Sequence, residues 1–292
     1  MALSFTLVPA ETNQAKARRD KSGKRRVLVT GAAGRIGSFF AEKTSRHYSL
    51  RLMVAEGDET DEIRDFGEIV TGDLLDLDRM KELCRDIDTV VHLAADPSPS
   101  ATWESVVGAN ITGTYHTFVA AKAAGCRRVI HASSIHAVSG YPTDMQVKTS
   151  DPVNPGDLYG VSKCFGEAMS RYMAEKQDVS AITVRIGAFQ PRAAGAEPDN
   201  AAMLDAFASR RDLVQLLTKA IEADHIQFAI FHGISNNRYK RLDITDARQL
   251  LGYDPQDDLA QENPQFSDLD FGHIMLSPRP EPDNQAGIRK DL

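Results

Sequence analysis

Tyr159-Gly-Val-Ser-Lys163 sets a phenol and an ammonium four residues apart, directly after the turn-forming run Asp151-Pro-Val-Asn-Pro-Gly-Asp157. Residues 158–176 read as a helix, and positions i and i+4 share one helix face. A lysine beside a tyrosine stabilises the phenolate and lowers the phenol pKa, which would let Tyr159 act as a general base near neutral pH. The same spacing also occurs on solvated helix faces, so its meaning depends on its company. Ser133 and Ser134 close the apolar run 128–132, and His136 follows two residues later. Alone they would cap a loop. Ahead of Tyr159 they become substrate-binding candidates, with Ser134 hydrogen-bonding the reacting oxygen and His136 reaching a second substrate hydroxyl.

A second constellation opens the chain's first apolar run. Thr30-Gly31-Ala-Ala-Gly34-Arg35-Ile36-Gly37 follows it at once and precedes a helix. Glycines let backbone approach a pyrophosphate, and a helix N-terminus supplies free N–H groups and a positive dipole. The spacing is Gly-x-x-Gly-x-x-Gly, and its place at a first strand-to-helix turn is the context that makes it a dinucleotide site. About 20 residues on, Glu56 stands where an acidic side chain can bind both ribose hydroxyls. NAD is therefore expected, with Arg35 leaving NADP open. Asp73, after a third strand, reaches the adenine or caps a helix. Ala94 is small enough to let a dinucleotide pass. Asn110, a polar amide at an inner helical position, braces active-site backbone or a water.

The elements that must position these groups follow from periodicity. Strands are expected at 26–30, 50–54, 68–71, 88–93, 128–132 and 181–186, with helices near 35–46, 77–85, 103–124 and 158–176. Short β-branched runs joined by longer helices describe an α/β, doubly wound, Rossmann-like parallel sheet. The pattern divides the chain into a basic, disordered extension over 1–25 and a nucleotide-binding domain over 26–190. A small substrate-side lobe over 191–255 and an extended or disordered tail over 256–292 follow. Within the lobe, a helix is expected near 210–223, a strand near 226–231 and a short helix near 244–251.

Composition narrows the class. A net charge of −7 gives no reason to expect nucleic-acid binding. Cys84, Cys126 and Cys164 are widely spaced and form no metal motif, which fits free thiols in a reducing, cytoplasmic compartment. No apolar run approaches the roughly 20 residues that span a bilayer. No metal is expected.

Taken together, these motifs resemble extended short-chain dehydrogenase/reductases, the superfamily that includes sugar epimerases and dehydratases. The resemblance covers about residues 26–255. It rests on the glycine loop, Gly72-Asp-Leu74, Val91-His-Leu-Ala-Ala95, Asn110-Ile-Thr-Gly-Thr114, Ala132-Ser-Ser134 and Tyr159-Gly-Val-Ser-Lys163. It implies catalysis by Ser134, Tyr159 and Lys163, with Leu74, Ala94, Asn110, Tyr159, Lys163 and Ile186 also lining the cofactor. Leu158-Tyr-Gly-Val-Ser-Lys-Cys-Phe-Gly-Glu167 and Val184-Arg-Ile-Gly187 are similar to uronate dehydrogenases, which oxidise C1 of a sugar acid to a lactone with NAD. Three departures stand out: Ile135, Ala188 and Ala202 replace that family's Asn, Ser and carboxylate-binding Arg. Arg192, Arg210, Arg211 and Arg238 are the candidate replacements. The expected function is hydride transfer from a sugar-like alcohol. The alternatives are an NAD-retaining epimerase or dehydratase and a catalytically silent nucleotide-binding protein. A homodimer or higher homo-oligomer is the default by analogy.

Overall fold

The structure, a computed structural model, describes residues 4–7, 18–142, 144–191, 193 and 203–262. Strands β2 (Arg25–Thr30), β3 (Tyr48–Val54) and β4 (Glu68–Thr71) run outward in one direction. Strands β5 (Thr89–His92), β6 (Arg128–Ser134), β7 (Ser180–Ile186) and β10 (Ile226–Gly233) run outward in the other. These seven strands pair in parallel, and the order reverses between β2 and β5. Such a reversal opens a crevice at the carboxyl ends of the strands, where ligands bind in doubly wound sheets.

Both faces of the sheet are covered, which is why β5, β6 and β7 are buried along their whole length. Val29, Ile130 and Val184 pack beneath α1 (Arg35–Thr44) and α6 (Arg210–Glu222). Leu28, Val129 and Phe228 pack on the other face, with Met80 of α2 (Leu77–Leu83), Phe118 of α4 (Gly113–Ala124) and Met173 of α5 (Leu158–Lys176). The helix expected over 103–124 is broken into α3 (Trp103–Val106), a π-helical stretch (Val107–Thr112) and α4.

Three expected boundaries move. Residues 1–25 are not uniformly disordered. β1 (Phe5–Leu7) pairs antiparallel with β10, Phe5 opposite Ala229, and covers an otherwise bare sheet edge. Arg25 is a buried residue of β2 whose guanidinium pairs with Asp88, Glu222 and Asp224. Nor does the sheet domain stop at 190, because β10 extends the sheet beside β7 and α6 packs on the α1 face. What remains substrate-side is a two-stranded parallel pair, β8 (Ala188–Gln190) with β9 (Phe207–Ser209), followed beyond β10 by α7 (Thr245–Leu251). Finally, 256–262 is not extended tail. It forms α8 (Leu259–Glu262), whose Leu259 is buried against Leu204 and Phe207. Residues 263–292 lie outside the described residues.

Candidate active site

The crevice is built first from the glycine loop. Gly31 has φ +67°, and a Cβ there would stand 2.9 Å from the backbone of Ala94. Gly37 supports the loop from below, since a Cβ would meet Gly31 O at 2.3 Å and Ala32 Cα at 2.8 Å. Gly34 differs: its Cβ would meet only Gly31 O, at 3.2 Å. It is the N-cap of α1, and no side chain caps that helix. The N-termini of α2, α3, α5 and α6 are each capped by Asp76, Thr102, Asp157 and Ser209 respectively. α1 therefore presents uncapped N–H groups and has no acidic residue in its first turn, which fits a bound phosphate.

The rest of the cofactor set lines the same edge. Glu56 is exposed just beyond β3. Asp73 accepts from Leu75 N at 2.9 Å, and Asp76 caps α2, so the two roles considered for Asp73 separate. Leu74 packs against Gly113, and His116 Nδ1 donates to its carbonyl at 2.9 Å. Thr30 Oγ1 accepts from Ala94 N and hydrogen-bonds with the buried His92. Burial lowers His92 to about 3 and keeps this support neutral. Ile186 ends β7 beside Ser134. Arg35 is turned to β8, donating to Phe189 O at 2.7 Å and Gln190 Oε1 at 3.0 Å. Ile36 is half-buried at the start of α1.

Asn110, only 2% exposed, falls within the π-helical stretch. Its Oδ1 accepts from Asp96 N at 2.8 Å, while Nδ2 donates to Asp96 O and Ser162 Oγ at 3.1 and 2.9 Å. Ser162 in turn donates to Tyr159 O at 2.6 Å. One amide thus ties the loop after β5 to the first turn of α5.

Asp157 caps α5 through Gly160 N, and that start directs Tyr159 and Lys163 inward. Lys163 Nζ donates to Ala132 O at 2.9 Å and lies 5.5 Å from the Tyr159 ring centroid. Ser134 Oγ accepts from His136 N at 3.2 Å. The three residues expected to do the chemistry are therefore gathered at one strand end.

Their electrostatics differ from expectation. Tyr159 is not drawn below its usual value. Burial pushes the phenol up, the Ser134 hydroxyl draws it back, and the carboxylates of Asp157 and Asp96 add to the rise. Lys163 is buried, and that burial pushes it down to about 8. Nothing in the linear sequence marks Asp96 or Asp157 as a charge facing the phenol.

Ser133 is a further correction. The pleat turns it away from Ser134, and its hydroxyl donates to Glu167 Oε1 at 2.7 Å inside a buried Glu167–Arg185 ion pair. It belongs to the packing beneath α5. His136 does reach the site: its ring meets Tyr159 edge-on at 5.4 Å, and Nδ1 donates to Asp157 Oδ2 at 2.6 Å. Of the candidate arginines, Arg211 pairs with Asp257 and Arg238 with Asp258. Arg210 stands over the Phe39 ring, with its Nε buried and unbonded. Arg192 and Ala202 lie outside the described residues. Among the described residues, no group of His, Cys, Asp or Glu is placed to hold a metal, and no helix is long and apolar enough to cross a membrane.

Residues 27–223 match the model of the NAD-dependent epimerase/dehydratase family. The chain belongs to this family. Within it, the chain is 35% identical to an NAD-dependent glucose-6-phosphate dehydrogenase of Haloferax volcanii, over 80% of this chain and 94% of that protein. It is 32% identical to a uronate dehydrogenase of Pseudomonas syringae pv. tomato, over 80% of this chain and 82% of that protein. A solved structure of a mutated uronate dehydrogenase superposes with a TM-score of 0.75 at 30% identity, covering 91% of this chain and 95% of that one. The matched span takes in most of the doubly wound sheet and the glycine loop, which is held here by close backbone contacts and opens an uncapped helix.

Proposed function

We propose that the protein is an NAD-dependent dehydrogenase that oxidises C1 of an aldose or sugar acid to a lactone. The observation that carries this reading is the convergence of Tyr159, Ser134 and Lys163 at the sheet's carboxyl edge. Two similar proteins, named for sugar dehydrogenation, support it.

The residues present fit a dinucleotide. Gly31, Gly34 and the first turn of α1 would hold its pyrophosphate, Glu56 its ribose and the Asp73–Leu74 turn its adenine. Bound NAD supplies the hydride acceptor. Tyr159, once ionised to the phenolate, takes the proton of the substrate hydroxyl, and Ser134 orients the oxygen that loses it. Lys163 places a cation beside the phenol. Glu56 and the absence of a basic residue just after β3 favour NAD over NADP.

We read the assembly as a homodimer formed through α4 and α5, whose outer faces expose Tyr115, Val161 and Tyr172. The free thiols favour a cytoplasmic setting.

The test is NADH formation on a panel of aldoses, sugar phosphates, uronates and polyols. Tyr159→Phe should lower turnover about 10²- to 10⁴-fold on the best substrate. Wild-type turnover in that variant would exclude the mechanism. NAD that stays bound through purification, without net NADH release, would favour an epimerase.

A further inference from the structure

We propose that Asp157 is a positioning residue that fixes the tautomer of His136 and so makes the site select a substrate hydroxyl over a carboxylate at that contact. The inference rests on the reading of the site as a sugar dehydrogenase. Asp157 uses both of its oxygens. Oδ1 accepts from Gly160 N at 2.7 Å as the cap of α5, and Oδ2 accepts from His136 Nδ1 at 2.6 Å.

An ionised carboxylate is an acceptor only, so Nδ1 must carry a hydrogen. In the neutral ring Nε2 is then a bare acceptor. No protein group among the described residues hydrogen-bonds Nε2. The ring stands edge-on to Tyr159 at 5.4 Å and is 28% exposed, so it borders the reacting end of the crevice.

Where the ring is neutral, that acceptor pairs with an O–H group and repels a carboxylate. Its neighbours act in the same sense. The Asp157 and Asp96 carboxylates both bear on Tyr159, and Ile135, next to His136 in the chain, offers no side-chain hydrogen bond. Asp96 is held by Asn110 on its N–H and C=O and by Ser98 N on Oδ1, so it cannot easily swing away. The contact therefore favours a neutral hydroxyl over an anionic group on whichever substrate atom meets it.

Asp157→Asn inverts the device without removing the cap. Asn caps a helix as well as Asp does, and its single oxygen is needed by Gly160 N. Its NH₂ then faces Nδ1, which must accept, and Nε2 becomes the N–H. The expected result is about a tenfold fall in kcat/KM on neutral aldoses, with a smaller fall or a gain on uronates, so that the ratio of the two moves toward the acid. Asp157→Ser keeps the cap and frees the ring, and should give an intermediate ratio.

The tautomer is read independently by ¹⁵N NMR of the full chain at alkaline pH, with the signal assigned by its loss in His136→Gln. Hydrogen on Nδ1 in wild type and on Nε2 in Asp157→Asn is expected. An unchanged substrate ratio in a folded Asp157→Asn variant, or hydrogen on Nε2 in wild type, overturns the proposal. Loss of the parent reading shows differently: the wild type would then reduce NAD on no sugar, while the NMR result would stand.

Discussion

Lys163 should be a stability liability that the fold keeps for its chemistry. Burial alone lowers its pKa from 10.5 to about 8. That gap corresponds to about 3 kcal/mol against folding when the amine is charged in both states. The unfolded chain holds the proton more tightly, so between about 8 and 10.5 it carries more protons than the folded chain, and stability rises with pH there. Below about 8 the whole penalty stands, and above 10.5 it vanishes. Lys163→Met keeps the length and removes the charge. It also strips Ala132 O of a donor at 2.9 Å, worth about 1 kcal/mol. The variant should therefore be more stable than wild type by about 2 kcal/mol at pH 7 and by almost nothing near pH 10, while losing turnover. Urea unfolding at the two pH values measures the difference directly. A gain that does not change with pH, or a loss at pH 7, would refute desolvation as the state of this lysine.

The two glycines of the loop should separate fold from cofactor. Gly37→Ala collides with backbone at 2.3 Å and should cost both stability and NAD affinity, whereas Gly34→Ala meets only one oxygen at 3.2 Å. Gly34→Ala should therefore melt near wild type yet bind NAD at least about tenfold more weakly by calorimetry, because its methyl fills space needed by a phosphate. The adjacent serines should separate in the same way. Ser134→Ala should lose about 10²-fold in kcat. Ser133→Ala, whose hydroxyl is spent on Glu167, should keep kcat within about twofold while unfolding at lower urea. Equal kinetic losses at both serines would return Ser133 to the substrate site.

What the sequence shows well is what local patterning determines. The strand at 68–71 and the helix at 158–176 coincide with β4 and α5 at both ends, because β-branched runs mark strands and Asp157 marks a helix start. β1 is missed because three residues in a short apolar patch ahead of the basic run carry no period, and only the bare edge of β10 gives them a partner. The domain limit at 190 fails for a related reason. The alternating pattern breaks after 190 without ending the sheet, and the apolar run at 226–231 returns to lie beside β7.

The site divides along the same line. Tyr159 and Lys163 are legible because one helix carries both, and the glycine loop is legible because one turn carries it. Ser133 and Ser134 look equivalent in a linear string, and only the pleat decides which faces the crevice. Asp157 and His136 are 21 residues apart and meet through closure of an irregular loop. Asp96 and Asn110 are 14 apart and meet through a π-helical turn. Burial is the first cause that holds the Tyr159 phenol above its usual value, and Asp157 and Asp96 add to the rise, while Asp157 also takes the Nδ1 hydrogen of His136. The compact motif therefore specifies that a proton and a hydride move. Asp96 and Asp157, which add to the phenol's rise, and the Asp157 contact to His136 come from loop positions that no period in the sequence places.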